Sequence, residues 1–161
     1  MRKDYIDSCI FLGFALEQGQ NCKDYINTLG YKNRNIGIIS HFVISEIFLA
    51  IILKIKDKEK HYEKLEKFKA FEYIDEIINK MLRENVLIIN KLDTNIINEE
   101  LVNELKQINY SLSNDDIFHI IEAIKSKCDS FITTDREIIE NIKLKDFLTN
   151  KYGLKIIDLK L

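Results

Sequence analysis

The sequence predicts an α/β protein in which a parallel five-stranded sheet is covered on both faces by helices. Three observations carry this. Five short apolar runs, rich in β-branched residues, recur along the chain. The segments between them place apolar residues at helical and not alternating spacing. Runs and helices alternate, which is the pattern that buries a parallel sheet on both sides. A chain of 161 residues is most simply one domain, because one core of that size buries about two thirds of the unfolded surface.

Taken in order, DYIDSC (4–9) reads as the first strand, and CKDYINTLGY (22–31) as a short helix ended by Gly30. Between them, CIFLGFAL (9–16) is too short to span a membrane. It comes after Asp4 and Asp7 and lacks a small-residue cleavage site, so it does not read as an export signal. IGIIS (36–40) is the second strand, and His41 to Lys56, too long for a strand, is a helix despite its β-branched residues. The joined run 36–53 has the length of a membrane span. His41 and Glu46 interrupt it, however, and a mid-membrane carboxylate costs roughly 2.5–3.5 kcal/mol. A buried strand followed by a buried helix is the better reading, and no membrane association is expected.

Residues 57–82 place Tyr62, Leu65, Phe68, Phe71 and Ile74 at helical spacing opposite a charged face, which predicts a long amphipathic helix with room for one break. VLII (86–89) is the third strand and NEELVNELKQI (98–108) a helix. Residues 115–127, with Ile117, Ile120, Ile121 and Ile124 on one stripe, form another. SFIT (130–133) is the fourth strand, REIIENI (136–142) begins a further helix, and LKIIDL (154–159) is the fifth strand.

Composition narrows the function. Hydrophobic residues make up 46% and charged residues 31%, the balance of a globular protein and not of a disordered tail. A formal net charge of -2 excludes the strongly basic field of a protein that coats nucleic acid. Cys9, Cys22 and Cys128 show neither C-x-x-C nor Cys/His ligand spacing. Disulfide scaffolds and zinc ribbons are therefore not expected, and a reducing cytoplasm fits best.

Most of the 26 acidic residues must be solvated surface, so the informative ones are those where a carboxylate is expensive. Asp7 and Asp135 each come at the end of a strand, the end at which parallel α/β sheets bind ligands. Asp7 can equally end its strand or cap the next element. Asp135 can be a first-turn acid behind Thr134, which makes a T-x-x-E capping pattern with Glu137. Glu46 lies among apolar residues and needs a cation, a Lys or His partner, a hydrogen-bond network or an outlet to water. Asp116 opens a helix three residues after Ser113, a capping-box spacing that accounts for it without any other role, and Asp115 could share it. Brought together, the four acids would repel one another unless a divalent cation neutralised them, and an all-oxygen set selects Mg²⁺ or Mn²⁺ over zinc.

The order YIDSCIF, ISEIFLAI, DIFHIIEAI and CDSFITTDREI resembles the PIN domain family of metal-dependent ribonucleases, especially its toxin-like branch, over nearly the whole chain. The most specific part is D-x-x-H-x-x-x-A (Asp116, His119, Ala123) followed by an apolar strand ending in T-x-D (Thr133, Asp135). The resemblance implies a three-layer α/β/α sandwich and an acidic Mg²⁺ or Mn²⁺ pocket formed by Asp7, Glu46, Asp116 and Asp135. Ser8, Thr133 and Glu137 match accessory positions, and His119 matches a common helical position read here as a core histidine. It also implies endonucleolytic hydrolysis of RNA to a 5′-phosphate and a 3′-hydroxyl, a homodimer, and an inhibitory antitoxin partner. The longer 57–82 segment and Cys9 depart from the compact toxins. Basic residues expected to rim the pocket are Arg2, Lys3, Arg34, Arg136 and the lysines from Lys54 to Lys69, although i,i+4 partners such as Glu63 to Lys67 also explain those lysines as a solvated face. Two other classes compete. One is a catalytically silent PIN-like module that binds RNA or protein. The other is a receiver-like phosphoacceptor, disfavoured because Asp93 lies too far beyond VLII.

Overall fold

A computed structural model describes residues 1–15, 19–30, 35–56, 61–90 and 99–159, with the side chains of 54–56 and 61–68 outside that description. Among the described residues five strands form one parallel sheet in the order β3-β2-β1-β4-β5. They are β1 (Arg2–Ile6), β2 (Asn35–Ser40), β3 (Leu87–Asn90), β4 (Ser130–Thr133) and β5 (Lys155–Asp158). The first crossovers are α1 (Ser8–Ala15) with α2 (Gln20–Thr28), then α3 (His41–Lys56) with α4 (His61–Arg83). The return and the last crossover are α5 (Glu99–Ile108) with α6 (Asn114–Lys125), then α7 (Arg136–Ile139) with α8 (Ile142–Tyr152).

The strand order carries the layering. Running β1 to β2 to β3, the chain moves one way across the sheet; it then returns past β1 to β4 and β5. Parallel crossovers are right-handed, so the change of direction puts the later helices on the opposite face. Accordingly α1 packs against α2, α3 and α4, while α5 packs against α6 and α8. The result is the three-layer α/β/α sandwich with β1 at the centre, buried from Asp4 onward. Ile6, Phe11, Ile39, Ile47, Phe131 and Ile132 are fully buried around it.

The expected elements are present with shifted ends. The first strand stops at Ile6, not Cys9, because α1 begins at Ser8; an apolar segment assessed only as an export signal is that helix. The helix expected from residue 136 divides at Glu140 and Asn141, where the Asn141 side chain caps α8 by accepting from Leu144 N at 2.9 Å. In α4 Phe71 and Ile74 lie on the inner stripe; residues 57–60 and the side chains of Tyr62, Leu65 and Phe68 fall outside the described residues. Among the described residues no helix is long and apolar enough to cross a membrane.

Gly30 ends the α2 region at φ 74°, where a side chain is strained by about 1–2 kcal/mol. A Cβ there would also overlap Val86 Cγ1 and stand 2.9 Å from Val86 Cβ. Gly153 has φ 70° but no atom near the same position. Chemical denaturation should therefore show Gly30→Ala losing about 2–5 kcal/mol, the left-handed strain plus overpacking. Gly153→Ala should lose only the strain, about 1–2 kcal/mol. Equal losses would mean that Val86 moves aside without resistance.

Candidate metal centre

The sheet changes direction between β1 and β4, and the crevice beyond their carboxyl ends is where open α/β sheets bind ligands. Asp7 sits at that point. Its N–H still donates to the Ile132 carbonyl of β4 at 3.1 Å, while its own carbonyl accepts from Ile10 N at 3.2 Å in the first turn of α1. The residue is thus the joint between strand and helix, with its backbone held on both sides and its side chain 8% exposed.

Three neutral groups hold the Asp7 carboxylate. Thr133, the last residue of β4, donates Oγ1–H to Oδ2 at 2.6 Å, Cys9 donates its thiol to Oδ2 at 3.3 Å, and Ser8 reaches Oδ1 at 3.4 Å. Burial, reinforced by the negative field of Asp7, pushes the Cys9 thiol up to about 12, so it remains protonated and serves as a donor, not as a nucleophile.

Glu46 enters from α3. Ser40, the last residue of β2, starts that helix as its N-cap, its Oγ accepting from Val43 N at 3.3 Å. One and a half turns on, Glu46 Oε2 meets His119 Nε2 of α6 at 2.8 Å. Phe42 helps bring α3 and α6 together over the sheet edge, its ring 5.0 Å from Phe118 and 5.3 Å from His119. On its other side His119 Nδ1 is 3.0 Å from the Tyr5 hydroxyl, which donates to Ser40 Oγ at 3.1 Å. Of the partners open to Glu46, the structure selects a histidine. Burial opposes a charge on His119, but the Glu46 hydrogen bond and the fields of Asp7, Glu46 and Asp116 outweigh it and raise its pKa above the ordinary histidine value.

Ligand atoms of Asp7, Glu46 and His119 lie within 4.8 Å of one another. Among the described residues Asp116 and Asp135 do not join that group, although Asp135 is half-buried at the same edge. Asp116 forms a reciprocal capping box with Ser113: its N–H donates to Ser113 Oγ at 3.0 Å, and its Oδ2 accepts from Ser113 N at 3.0 Å and from Ser113 Oγ at 2.7 Å. Asp135, and not Thr134, caps α7, with Oδ1 accepting from Glu137 N at 2.7 Å. Its own N–H donates to Thr133 Oγ1 at 3.0 Å, so one hydroxyl links Asp7 to the Asp135 backbone. Each cap engages one oxygen of a carboxylate that has two. Glu137 is exposed in the first turn of α7.

The donor set fits a hard divalent cation. Among the described residues Asp7, nearly buried, receives neutral donors, and the neighbouring Glu46 adds a second carboxylate beside the one imidazole of His119. Oxygen-rich donors with negative charge in excess of one imidazolium are what Mg²⁺ and Mn²⁺ take. Of the basic residues expected at the rim, Arg136 is exposed beside Asp135. Arg2 and Lys3 are not at the rim: they begin β1 at the other end, and about 3.3 Å per residue puts Arg2 about 16 Å from Asp7 along the strand. Arg2 instead pairs with the buried Asp4, Nε at 2.8 Å from Oδ1 and Nη2 donating to Oδ2 at 2.9 Å. Arg34, Lys58 and Lys60 lie outside the described residues, as do the side chains of Lys54, Lys56, Lys64 and Lys67; Lys69 is exposed.

Sequence reasoning missed Asp4, and also Tyr5, Ser40 and Cys9 as partners of the acids. Strand alternation contains a signal for Tyr5, because residues two apart share a face and Tyr5 is two before Asp7. Ser40 occupies the boundary between a strand and a helix, where an N-cap belongs.

Together the sheet order and the layers give a three-layer α/β/α sandwich of PIN-like fold. Its similarity to solved structures includes VapBC2 from Rickettsia felis, bound in its crystal structure to a DNA fragment from their promoter, at TM-score 0.61 and 17% identity, covering 97% of this chain and 98% of that one. No family model matches the sequence, and no curated protein matches it.

The hydroxyl of Thr133 and the charge on His119 can each be tested. Thr133→Val keeps the shape but removes the donor to Asp7 and the acceptor for Asp135 N, and denaturation should show a loss of about 1–3 kcal/mol; an unchanged midpoint would mean that water replaces the hydroxyl. The raised His119 pKa gives stability that is complete below the unfolded value of about 6.5. That contribution is lost as pH rises through the folded pKa, because in that window the native state binds more protons. In metal-free protein, the stability gap between wild type and His119→Gln should shrink from about pH 6 toward alkaline pH. A gap that widens would show that His119 is not charged in its pair with Glu46.

Proposed function

We propose that the protein is a divalent-metal-dependent ribonuclease that hydrolyses RNA phosphodiester bonds at the Asp7–Glu46 edge. The observation that carries this is the meeting of Asp7 and Glu46 with His119 inside a 4.8 Å group, at the switch point of a fold of this kind. In this reading Asp7 and Glu46 are the inner ligands of Mg²⁺ or Mn²⁺, and Asp116 and Asp135 complete the acidic pocket with their second oxygens or through water. When bound, such an ion supplies Lewis acidity, which makes a nucleophilic water at neutral pH and neutralises charge on the phosphate. The chain's own part is to orient. Thr133 fixes the Asp7 carboxylate at 2.6 Å, Ser8 supports it from the start of α1, and the exposed Arg136 is suited to a phosphate oxygen. Glu137 stands beyond Asp135 as a further acid at the mouth.

The likeness to VapBC2 and the resemblance in sequence motifs support a toxin paired with a protein antitoxin, working as a homodimer in the cytoplasm. Exposed Leu49, Ile52 and Leu53 along α3, at i, i+3 and i+4, offer the apolar stripe that a partner helix covers. The competing reading, a silent RNA- or protein-binding module, is the one to which a failed cleavage test would lead.

A mixed RNA panel incubated with Mg²⁺ or Mn²⁺ should be cleaved, and EDTA should stop the reaction. Asp116→Ala and Asp135→Asn should each lower the rate by about 10–100-fold or more, since even outer partners of a metal site are worth about 10–100-fold. Cleavage that survives Asp116→Ala would remove that residue from the site. A saturating ion should also raise the melting point, by the equivalent of about 2.7 kcal/mol at a hundred times its Kd. No cleavage and no shift would leave the binding module as the function.

A further inference from the structure

An oxygen-only metal pocket has no place for the nitrogen at its centre. His119 Nε2 is 2.8 Å from Glu46 Oε2 and belongs with it and an Asp7 oxygen to the 4.8 Å group. Two donors at right angles on one ion, each bonded at about 2.0–2.1 Å, stand about 3 Å apart. The Glu46–His119 spacing is therefore that of one edge of a coordination shell as well as that of a hydrogen bond.

The far side of the ring decides which nitrogen faces the site. A phenol has one proton, and Tyr5 directs it to Ser40 Oγ at 3.1 Å. With that proton on Ser40, the contact with His119 Nδ1 at 3.0 Å is filled by the proton on Nδ1, the Tyr5 oxygen accepting. Ser40 Oγ is itself tied to Val43 N in the cap of α3. Tyr5 cannot swing away, being fully buried and stacked on Phe131 at 5.5 Å and 10°. An imidazole whose other N–H is given to a fixed acceptor is the usual state of a metal-ligating histidine.

We propose that His119 Nε2 is the third ligand beside Asp7 and Glu46, oriented by Tyr5 and Ser40, and that this nitrogen turns the site toward first-row transition ions such as Mn²⁺ over Mg²⁺. The inference rests on the metal-site reading given above and adds to it the ligand and the resulting preference. Mg²⁺ takes oxygen almost exclusively and keeps its waters, whereas transition ions gain from an imidazole donor. Tyr5 and Ser40 are positioning residues here, since they act through His119.

The test is pulsed electron paramagnetic resonance of Mn²⁺ bound to the whole chain, which reads directly whether a nitrogen is coupled to the ion and needs no substrate. Wild type should show a nitrogen coupling that changes when histidine is labelled with ¹⁵N and disappears in His119→Gln. Competition binding should show the preference for Mn²⁺ over Mg²⁺ falling in His119→Gln, and Tyr5→Phe should weaken Mn²⁺ binding about 10–100-fold. Mn²⁺ that binds in an Asp7-dependent way without nitrogen coupling would overturn the ligand assignment and leave the metal-dependent nuclease standing. Absence of Mn²⁺ binding, or binding that survives Asp7→Asn, would overturn both. The wild-type spectrum decides the matter even if a variant fails to fold.

Discussion

The hydrogen bond from Asp7 N–H to the Ile132 carbonyl, 3.1 Å long, is the constraint on which the site depends. It extends the β1–β4 ladder one residue past the strand, just before the chain turns into α1. Because β1 lies at the centre of the sheet and β4 on the far side of the switch point, that bond sets how close Asp7 stands to Thr133 and to the start of α7. The bond from Thr133 to the Asp7 carboxylate and the bond from Asp135 N to Thr133 both depend on it.

Strand β1 and its end carry two buried acids, and they are compensated in opposite ways. Asp4, 0% exposed, meets a guanidinium, with Tyr25 and Asn35 also donating to Oδ2 at 2.9 Å and 3.1 Å. Its charge is answered by a cation of the chain itself, so its role is structural. Asp7, just past the other end of the strand, has hydroxyl and thiol donors, and among the described residues it shares one imidazole with the nearby Glu46. Two carboxylates that share one imidazolium keep an excess of negative charge, which is costly where it is buried, and this contrast along one strand is the electrostatic basis of the proposed metal site. The same edge is stiff. Tyr5, His119 and Phe131 pack ring to ring, and the polar atoms of Tyr5 and His119 are used in one continuous chain to Ser40 and Glu46. Side chains held this way need little reordering to meet a ligand.

Part of the candidate site was legible because acids in costly places are rare. Asp7 and Asp135 were marked by strand ends, and Glu46 by the apolar residues around it; the structure puts all three at the carboxyl edge of the sheet. Asp116 was marked by its helix start, and the capping box that rivalled a functional role is present in full. The T-x-x-E pattern misled about Asp135, because Thr133 Oγ1 holds the Asp135 N–H and so makes Asp135 itself the cap. His119 was read as a core residue, and it is buried at 3%. Its tie to Glu46 spans 73 positions, and no local spacing reports a pair so far apart.

By itself the sequence determined the alternation of strands and helices, the extent of α3 from His41 to Lys56, and the acids worth attention. These come from side-chain periodicity and from the cost of burying charge, both of which are local. Only the tertiary structure decided the strand order, the pairing of Glu46 with His119, and the placement of Arg2 at the end of the sheet away from Asp7. The physical reason is that these depend on which strands lie side by side and which end of each is turned toward the site. Such relations are made by long-range packing of whole layers, and a one-dimensional pattern carries no record of them.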